Sequence, residues 1–323
     1  MGKWWLPAAR DALLRVVSRD PRMQTLKEVS RSFYLSLRML PSEMRAAACV
    51  GYLLARTSDT IADSAKTSAE LRLAGLEEFS ASVRGESGAP RWALPLLNGI
   101  ADPRERRLME STGDWLAWLN QLPEEERKLV REVVGIIIGG QQLDLRRFSL
   151  ASAEDPVAFA DDSELEDYTW RVAGCVGAFW TKLGFLTMGG RFSREDESLL
   201  LARGVRFGKG LQLVNILRDL PVDLMDGRCY LPVSDPHSRT MLMENHRRWT
   251  GIAQNWIGEG FRYADALCSR RLRSASVLPA MIARETLQRL ETADWETLEN
   301  RVKVPRSSVY RALIVSLLSR PKI

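Results

Sequence analysis

Apolar residues recur every three or four positions through 104–121, 124–145, 163–190, 194–219, 239–272 and 279–293, and strand-like alternation is nearly absent. A chain patterned this way can bury its apolar faces only by packing helix on helix. The start signals agree with the periodicity. Asp20-Pro21 and Asp102-Pro103 each read as an N-cap followed by proline at the first helical position, and Thr67 with Glu70 reads as a capping box. Pro41, with Ser42 and Glu43 behind it, opens a helix that would carry Tyr52, Arg56, Asp59 and Asp63. The breaks at 84–90, 149–156, 231–236 and 304–308 are too short for domain linkers, and no short-period repeat is visible. The expectation is an all-α fold, one helical domain over 1–323.

Composition narrows the partners. The chain is 45% hydrophobic and 27% charged over 323 residues, which is enough to fill a large core and leaves little room for disorder. Net charge is +5, and 38 of the 46 basic residues are arginine. Guanidinium forks suit diphosphate oxygens and anionic lipid head groups. No basic run interleaved with aromatics is present, so nucleic acid is not an expected partner. Four scattered cysteines fit a reduced cytoplasmic location, and the two histidines, His237 and His246, lack zinc spacing. No run approaches the roughly eighteen apolar residues of a membrane span. The densest, 133–138, is short, and Gly135 with Gly139 reads as a place where helices pack closely.

Two terminal segments suit a membrane surface. Trp4, Trp5 and Leu6 lead into an amphipathic, arginine-bearing stretch within 1–19, and 309–323 is apolar with Arg306, Arg311, Arg320 and Lys322 around it. Tryptophans beside basic residues build interfacial helices, and terminal helices docked on the protein's own core read the same way. Peripheral contact with the cytoplasmic membrane face is thus one of two expectations.

Two acidic pairs at helical spacing stand far apart: Asp59 and Asp63 in DTIAD, Asp219 and Asp223 in DLPVD. Residues at i and i+4 share a helix face, so two such helices could aim four carboxylates into one cleft. Arg56 precedes the first pair by three residues and Arg218 abuts the second. Hard oxygen donors beside guanidinium groups are the chemistry of a magnesium-held diphosphate. Asn215, four residues before Asp219, adds an amide oxygen, and Gln212 lies near it on the helix. Pro221 falls between Asp219 and Asp223, so the helix from 194 is expected to kink or loosen near Leu220, leaving DGRCYLP as an exit loop.

Around these residues the chain resembles the squalene/phytoene synthase family. The resemblance is carried by VSRSFYLSLRMLP at 29–41, YLLARTSDTIADS at 52–64, YTWRVAGCVGAFW at 168–180 and GLQLVNILRDLPVDLMDGRCYLP at 210–232, with a weaker echo in NRVKV at 300–304. It implies an isoprenoid synthase fold around a central apolar cavity, with Mg2+ bridging the acids to a prenyl diphosphate. Position by position, Asp59, Asp63, Asp219 and Asp223, with Asn215, match metal-binding residues. Arg31, Ser32, Arg56, Gln212, Asn215, Arg218 and Arg301 match positions around the substrate diphosphate, and Tyr168 matches a tyrosine that handles a proton or stabilises a cation. Phe33, Tyr34, Tyr52, Phe179 and Trp180 fit ordinary core as well as a cation-facing wall. In GGQQLDL at 139–145, Gln141 replaces the family's methionine ahead of Asp144. Resemblance further implies condensation of two farnesyl diphosphates to presqualene diphosphate and, with NADPH, squalene. The alternatives are phytoene or dehydrosqualene synthesis, presqualene diphosphate synthesis without reduction, or, in another class, a non-catalytic membrane-associated assembly factor.

Overall fold

A computed structural model describes residues 21–30, 33–64 and 66–305. The all-α expectation holds. The helices that matter for the site begin with α1 (Pro21–Ser30), α2 (Phe33–Met39), α3 (Ser42–Ala62) and α4 (Ala69–Arg84). After α5 (Leu94–Gly99), α6 (Pro103–Glu110) and α7 (Thr112–Gln121) comes the long α8 (Glu124–Arg147). A continuous helical run follows: α9 (Asp162–Thr169), a π-helical turn at Trp170–Gly174, and α10 (Cys175–Met188). The remainder is α11 (Glu197–Met225), α12 (Arg239–Ala266), α13 (Arg270–Glu291) and α14 (Trp295–Glu299).

Contacts between helices close a ring. Helix α3 packs on α8, α8 on α10, α10 on α11, α11 on α12 and α13, α13 on α2, and α2 back on α3. Each contact follows from an apolar stripe. Helix α3 buries Met44, Ala47, Val50, Leu53, Leu54 and Ile61 at helical spacing, and Asp59 and Asp63 fall off that stripe at its C-terminal end. The tightest approach is between α10 and α11. A Cβ on Gly177 would lie 1.9 Å from the Gly204 carbonyl oxygen, and one on Gly208 would lie 2.4 Å from that of Ala173. The small residues of VAGCVGA therefore do let helices approach, as their sequence suggests. Gly135 and Gly139 do not: nothing lies within 4 Å of the Cβ each would carry. That expectation is corrected. Isolated glycines in a helix pattern cannot be told apart by spacing when the neighbouring helix comes from elsewhere in the chain.

Other boundaries moved for local reasons. The 104–121 pattern divides at Ser111 into α6 and α7. The cap before α4 is Ser68, whose hydroxyl accepts from Leu71 N–H, while Thr67 pairs with Ser64. Asp102 caps α6 as expected. Pro279 lies inside α13 rather than ahead of it, and α12 ends at Ala266.

Two corrections bear on function. Helix α11 runs through Pro221 to Met225, so the expected loosening near Leu220 does not occur. The supposed exit loop is strand β2 (Arg228–Pro232), paired in parallel with β1 (Val157–Phe159) in the register Val157 to Arg228 and Ala158 to Cys229. Gly227, at φ 77°, makes the turn into it, where a side chain would strike Ser152. Secondly, the run Asp162–Arg191 is long and apolar enough, by length and composition, to cross a membrane, contrary to the sequence reading. Its position explains the apolarity: it is flanked by α8 and α11, and its open face lines a cleft.

Candidate active site

The two sides of the ring meet at a polar chamber of about 250 Å3 and an apolar cleft of about 190 Å3, which share Val172 as a wall. Asp59 and Asp63 line the chamber from the end of α3, where Asp63 is the C-cap and its N–H donates to the Asp59 carbonyl. Across from them, α8 supplies Gln141 and Asp144 at helical spacing. Tyr168 enters just before the π-helical turn, Gln212 from α11, and Arg228 and Tyr230 from β2. A π turn carries one extra residue per helical loop and is frequent at functional sites, because it re-aims the side chains beside it.

Charge in the chamber is crowded. Asp59 is pushed up to about 7 by burial first and by Asp63 second, against the pull of Arg56 and a hydrogen bond from Gln141. With 43% of its side chain accessible to solvent in a partly open chamber, Asp59 keeps the upward direction of this shift, and solvent screening reduces its size. Gln141 Nε2 donates to Asp59 Oδ1 at 2.6 Å, and the Gln141 Oε1 is buried with no hydrogen-bond partner. Burial also raises Asp63 and Asp144, and Asp144 Oδ1 is likewise without a partner. Asp223 is pushed up to about 7, again by burial first, with Asp219, Asp144 and Asp226 adding to it.

Arg228 is the hinge of this electrostatic arrangement. Its guanidinium lies 3.9 Å from Asp144 and 3.0 Å from Asp226, and it opposes the upward shifts of Asp63, Asp144 and Asp223 alike. Arg228 and Asp144 thus link the first acidic pair to Asp223, while Asp219 and Asp223, like Arg56, Arg218 and Asn215, are not among the residues that line the chamber. Among the described residues no group of three or more acidic, histidine or cysteine side chains is close enough to hold a metal ion directly. The donor chemistry still suits a hard divalent cation: crowded, desolvated carboxylates and orphaned amide and carboxylate oxygens are what such an ion neutralises.

The other sequence-derived positions divide as follows. Arg56 pairs with Glu105 and stands 3.7 Å from Asp59. Arg218 grips its neighbour Asp219 through two hydrogen bonds, at 2.9 and 2.5 Å. Asn215 is exposed and lies 3.5 Å from Gln212. Tyr168 stacks on Tyr230 with ring centroids 4.9 Å apart, and burial holds its hydroxyl well above the usual phenol range. Arg301 is outside the chamber lining, yet is the one non-glycine among the described residues with positive φ, 59°. Arg31, Ser32, 1–19 and 309–323 lie outside the described residues, as does the side chain of Phe33. Phe179 is core, packed beside Gly51, whereas Trp180 lines the apolar cleft.

Sequence reasoning missed Arg228, Tyr230 and Arg72. Arg72 donates to the Ala62 carbonyl at the end of α3 and acts on Asp63 and Asp144. The signal for the first two was the alternation in RCYLP, which puts Arg228 and Tyr230 on one strand face with Cys229 on the other.

Comparison with known proteins follows the same lines. The family model described as squalene/phytoene synthase matches residues 26–308. A bifunctional lycopene cyclase/phytoene synthase of Pyrenophora tritici-repentis (strain Pt-1C-BFP) is 29% identical over 222 residues, 68% of this chain and 35% of that protein. The chain thus spans about a third of the length of the bifunctional relatives it matches. A presqualene diphosphate synthase of Zymomonas mobilis is 25% identical over 298 residues, 88% of this chain and 89% of that one. Among solved structures, TcSQS in complex with the ligand E5700 superposes with a TM-score of 0.74 at 22% identity, covering 92% of this chain and 85% of that one. That likeness fixes the isoprenoid synthase fold.

Proposed function

This chain belongs to the squalene/phytoene synthase family, and we propose that it condenses two farnesyl diphosphates head to head, giving presqualene diphosphate and, with NADPH as co-substrate, squalene. The observation that carries the reading is the wall at Val172, which an acid-lined chamber and an apolar cleft have in common. A prenyl diphosphate has the same two-part chemistry.

Asp59, Asp63, Asp219 and Asp223, with Asn215, would hold Mg2+, whose positive charge would offset that of the departing diphosphate. The chain's own groups do the rest. Arg56, Arg218 and Arg228 stand beside those acids, paired with carboxylates, and their guanidinium groups have the charge and geometry that phosphate oxygens would take up. Charge developing on a leaving diphosphate is met by groups already in place, which is where electrostatic catalysis gains most. Gln141 orients the Asp59 carboxylate through its 2.6 Å hydrogen bond. In the cleft, Val172, Val176, Phe207 and Leu211 are apolar walls that offer no nucleophile to an allylic cation, Trp180 offers an aromatic face, and the Ser276 hydroxyl is one polar group in the lining. Tyr168, at the chamber's edge and hydrogen-bonded to Tyr230, is placed to hold or pass a proton at its hydroxyl oxygen.

One observation favours a second reading, in which the reaction stops at presqualene diphosphate: the end-to-end likeness to the Zymomonas mobilis protein of that name. Incubating purified protein with farnesyl diphosphate and Mg2+, with and without NADPH, and weighing the products by mass spectrometry separates the two. Squalene formed only with NADPH supports the first. Presqualene diphosphate unaffected by NADPH supports the second, and a preference for the C20 diphosphate overturns both. We place the enzyme in the cytoplasm, with peripheral contact at the membrane face where its product would partition; sedimentation with anionic vesicles tests that contact.

A further inference from the structure

Two prolines sit inside helices, Pro221 in α11 and Pro279 in α13. Proline has no N–H, so the carbonyl four residues back loses its helical donor. Those carbonyls belong to Leu217 and Ala275, and each is paired from outside its own helix. His246 Nε2, on α12, lies 3.2 Å from the Leu217 oxygen. Ser36 Oγ, on α2, donates to the Ala275 oxygen at 3.3 Å. Both donors are buried, His246 completely. His246 Nδ1 has no hydrogen-bond partner, so the ring proton belongs on Nε2, the nitrogen that faces the carbonyl. Burial keeps this ring neutral, its pKa lowered to about 4.

We infer that His246 is a positioning residue, supplying the donor that Pro221 removes and so holding α11 straight between Asp219 and Asp223. The geometry makes the link short. Leu217 is two residues before Asp219 and Pro221 two residues after it, so the repaired hydrogen bond spans the turn that carries the acids. Sharp kinks in helices arise where proline opens the ladder. A kink here would swing Asp223 off the face it shares with Asp219 and away from Asp144 and Arg228, with which it interacts. His246 touches neither acid and acts through the backbone alone. The inference rests on reading Asp219 and Asp223 as metal-site acids.

Double-mutant cycles test it. His246→Leu deletes the donor, and Pro221→Ala gives residue 221 an N–H that reaches the Leu217 carbonyl itself. On the wild-type background His246→Leu lowers Tm by about 5 °C. It also weakens Mn2+ binding in the presence of inorganic diphosphate, followed by EPR, about tenfold. On the Pro221→Ala background both losses vanish. His246→Gln, which keeps an amide N–H at the Nε2 position, binds Mn2+ like wild type. Ser36→Ala lowers Tm to a similar extent, is rescued by Pro279→Ala, and leaves Mn2+ binding unchanged, which separates positioning from general loss of stability. A His246→Leu loss of equal size with and without Pro221 overturns the donor role. A loss of Tm that couples to Pro221 while Mn2+ binding stays constant overturns the positioning role, as does a wild-type protein that binds no Mn2+. Protein that binds Mn2+ and diphosphate but does not turn over farnesyl diphosphate refutes the proposed condensation and leaves this inference to its own cycles.

Discussion

Replacing glycine with alanine at two helix-interior positions should move stability in opposite directions. At Gly177 the new methyl group would sit 1.9 Å from the Gly204 carbonyl oxygen and 2.4 Å from its carbon. An ordinary carbon–oxygen contact is about 3.3 Å, so α10 and α11 must part by roughly 1.4 Å at their closest point. Both obstructing atoms are backbone, so no side chain can rotate aside. Overpacking of this kind costs about 3 kcal/mol, against a helix-propensity gain of at most about 1 kcal/mol. At about 3 °C per kcal/mol for a chain of this size, Tm should fall by about 6 °C. At Gly139 the methyl group meets nothing within 4 Å, the propensity gain stands alone, and Tm should rise by about 2 °C. Differential scanning calorimetry of both variants reads the difference directly. Equal shifts of the same sign would refute the close-approach argument, and a larger loss at Gly139 would restore the packing role that its spacing suggested.

Three further outcomes follow from the site and its supports. His246 is neutral in the fold, with its pKa lowered to about 4 from an ordinary 6.5, so its contribution is intact above pH 6.5 and is lost as pH falls toward 4, where the unfolded chain binds a proton that the folded one refuses. Urea titrations at pH 7 and pH 4.5 should therefore show about 2 kcal/mol more acid destabilisation in wild type than in His246→Gln, and parallel curves would sink the assignment of a buried neutral ring. Gln141→Leu removes a hydrogen bond that lowers the Asp59 pKa, so the acid limb of the turnover profile should move to higher pH by up to about one unit, whereas an unmoved limb would detach Asp59 from the rate. Asp59→Asn should cut product formation at least about a hundredfold with an unchanged circular dichroism spectrum, and near-normal turnover would dismiss the metal-site reading.

Much of the fold was legible because helices announce themselves locally. The apolar period of α8, α11 and α12, the Asp102-Pro103 cap and the i, i+4 acids are all short-range patterns, set by 3.6 residues per turn. Resemblance through the blocks at 52–64, 168–180 and 210–232 then fixed which acids to consider. What stayed hidden depends on partners distant in the chain. Arg228 and Tyr230 looked like loop residues because their strand exists only where it meets 157–159, some seventy positions earlier. The apolarity of Asp162–Arg191 could not be assigned to a cleft until α8 and α11 stood on either side of it.

Pro221 shows where the division lies. Local pattern is enough to say that the chain is helical, that two acidic pairs ride on helices with arginine beside them, and that proline deletes one hydrogen bond inside the second pair. That the deletion does not break the helix is a matter of packing, because a histidine 29 positions away reaches the orphaned carbonyl. Local pattern fixes which backbone groups a segment leaves unpaired; packing fixes what arrives to pair them.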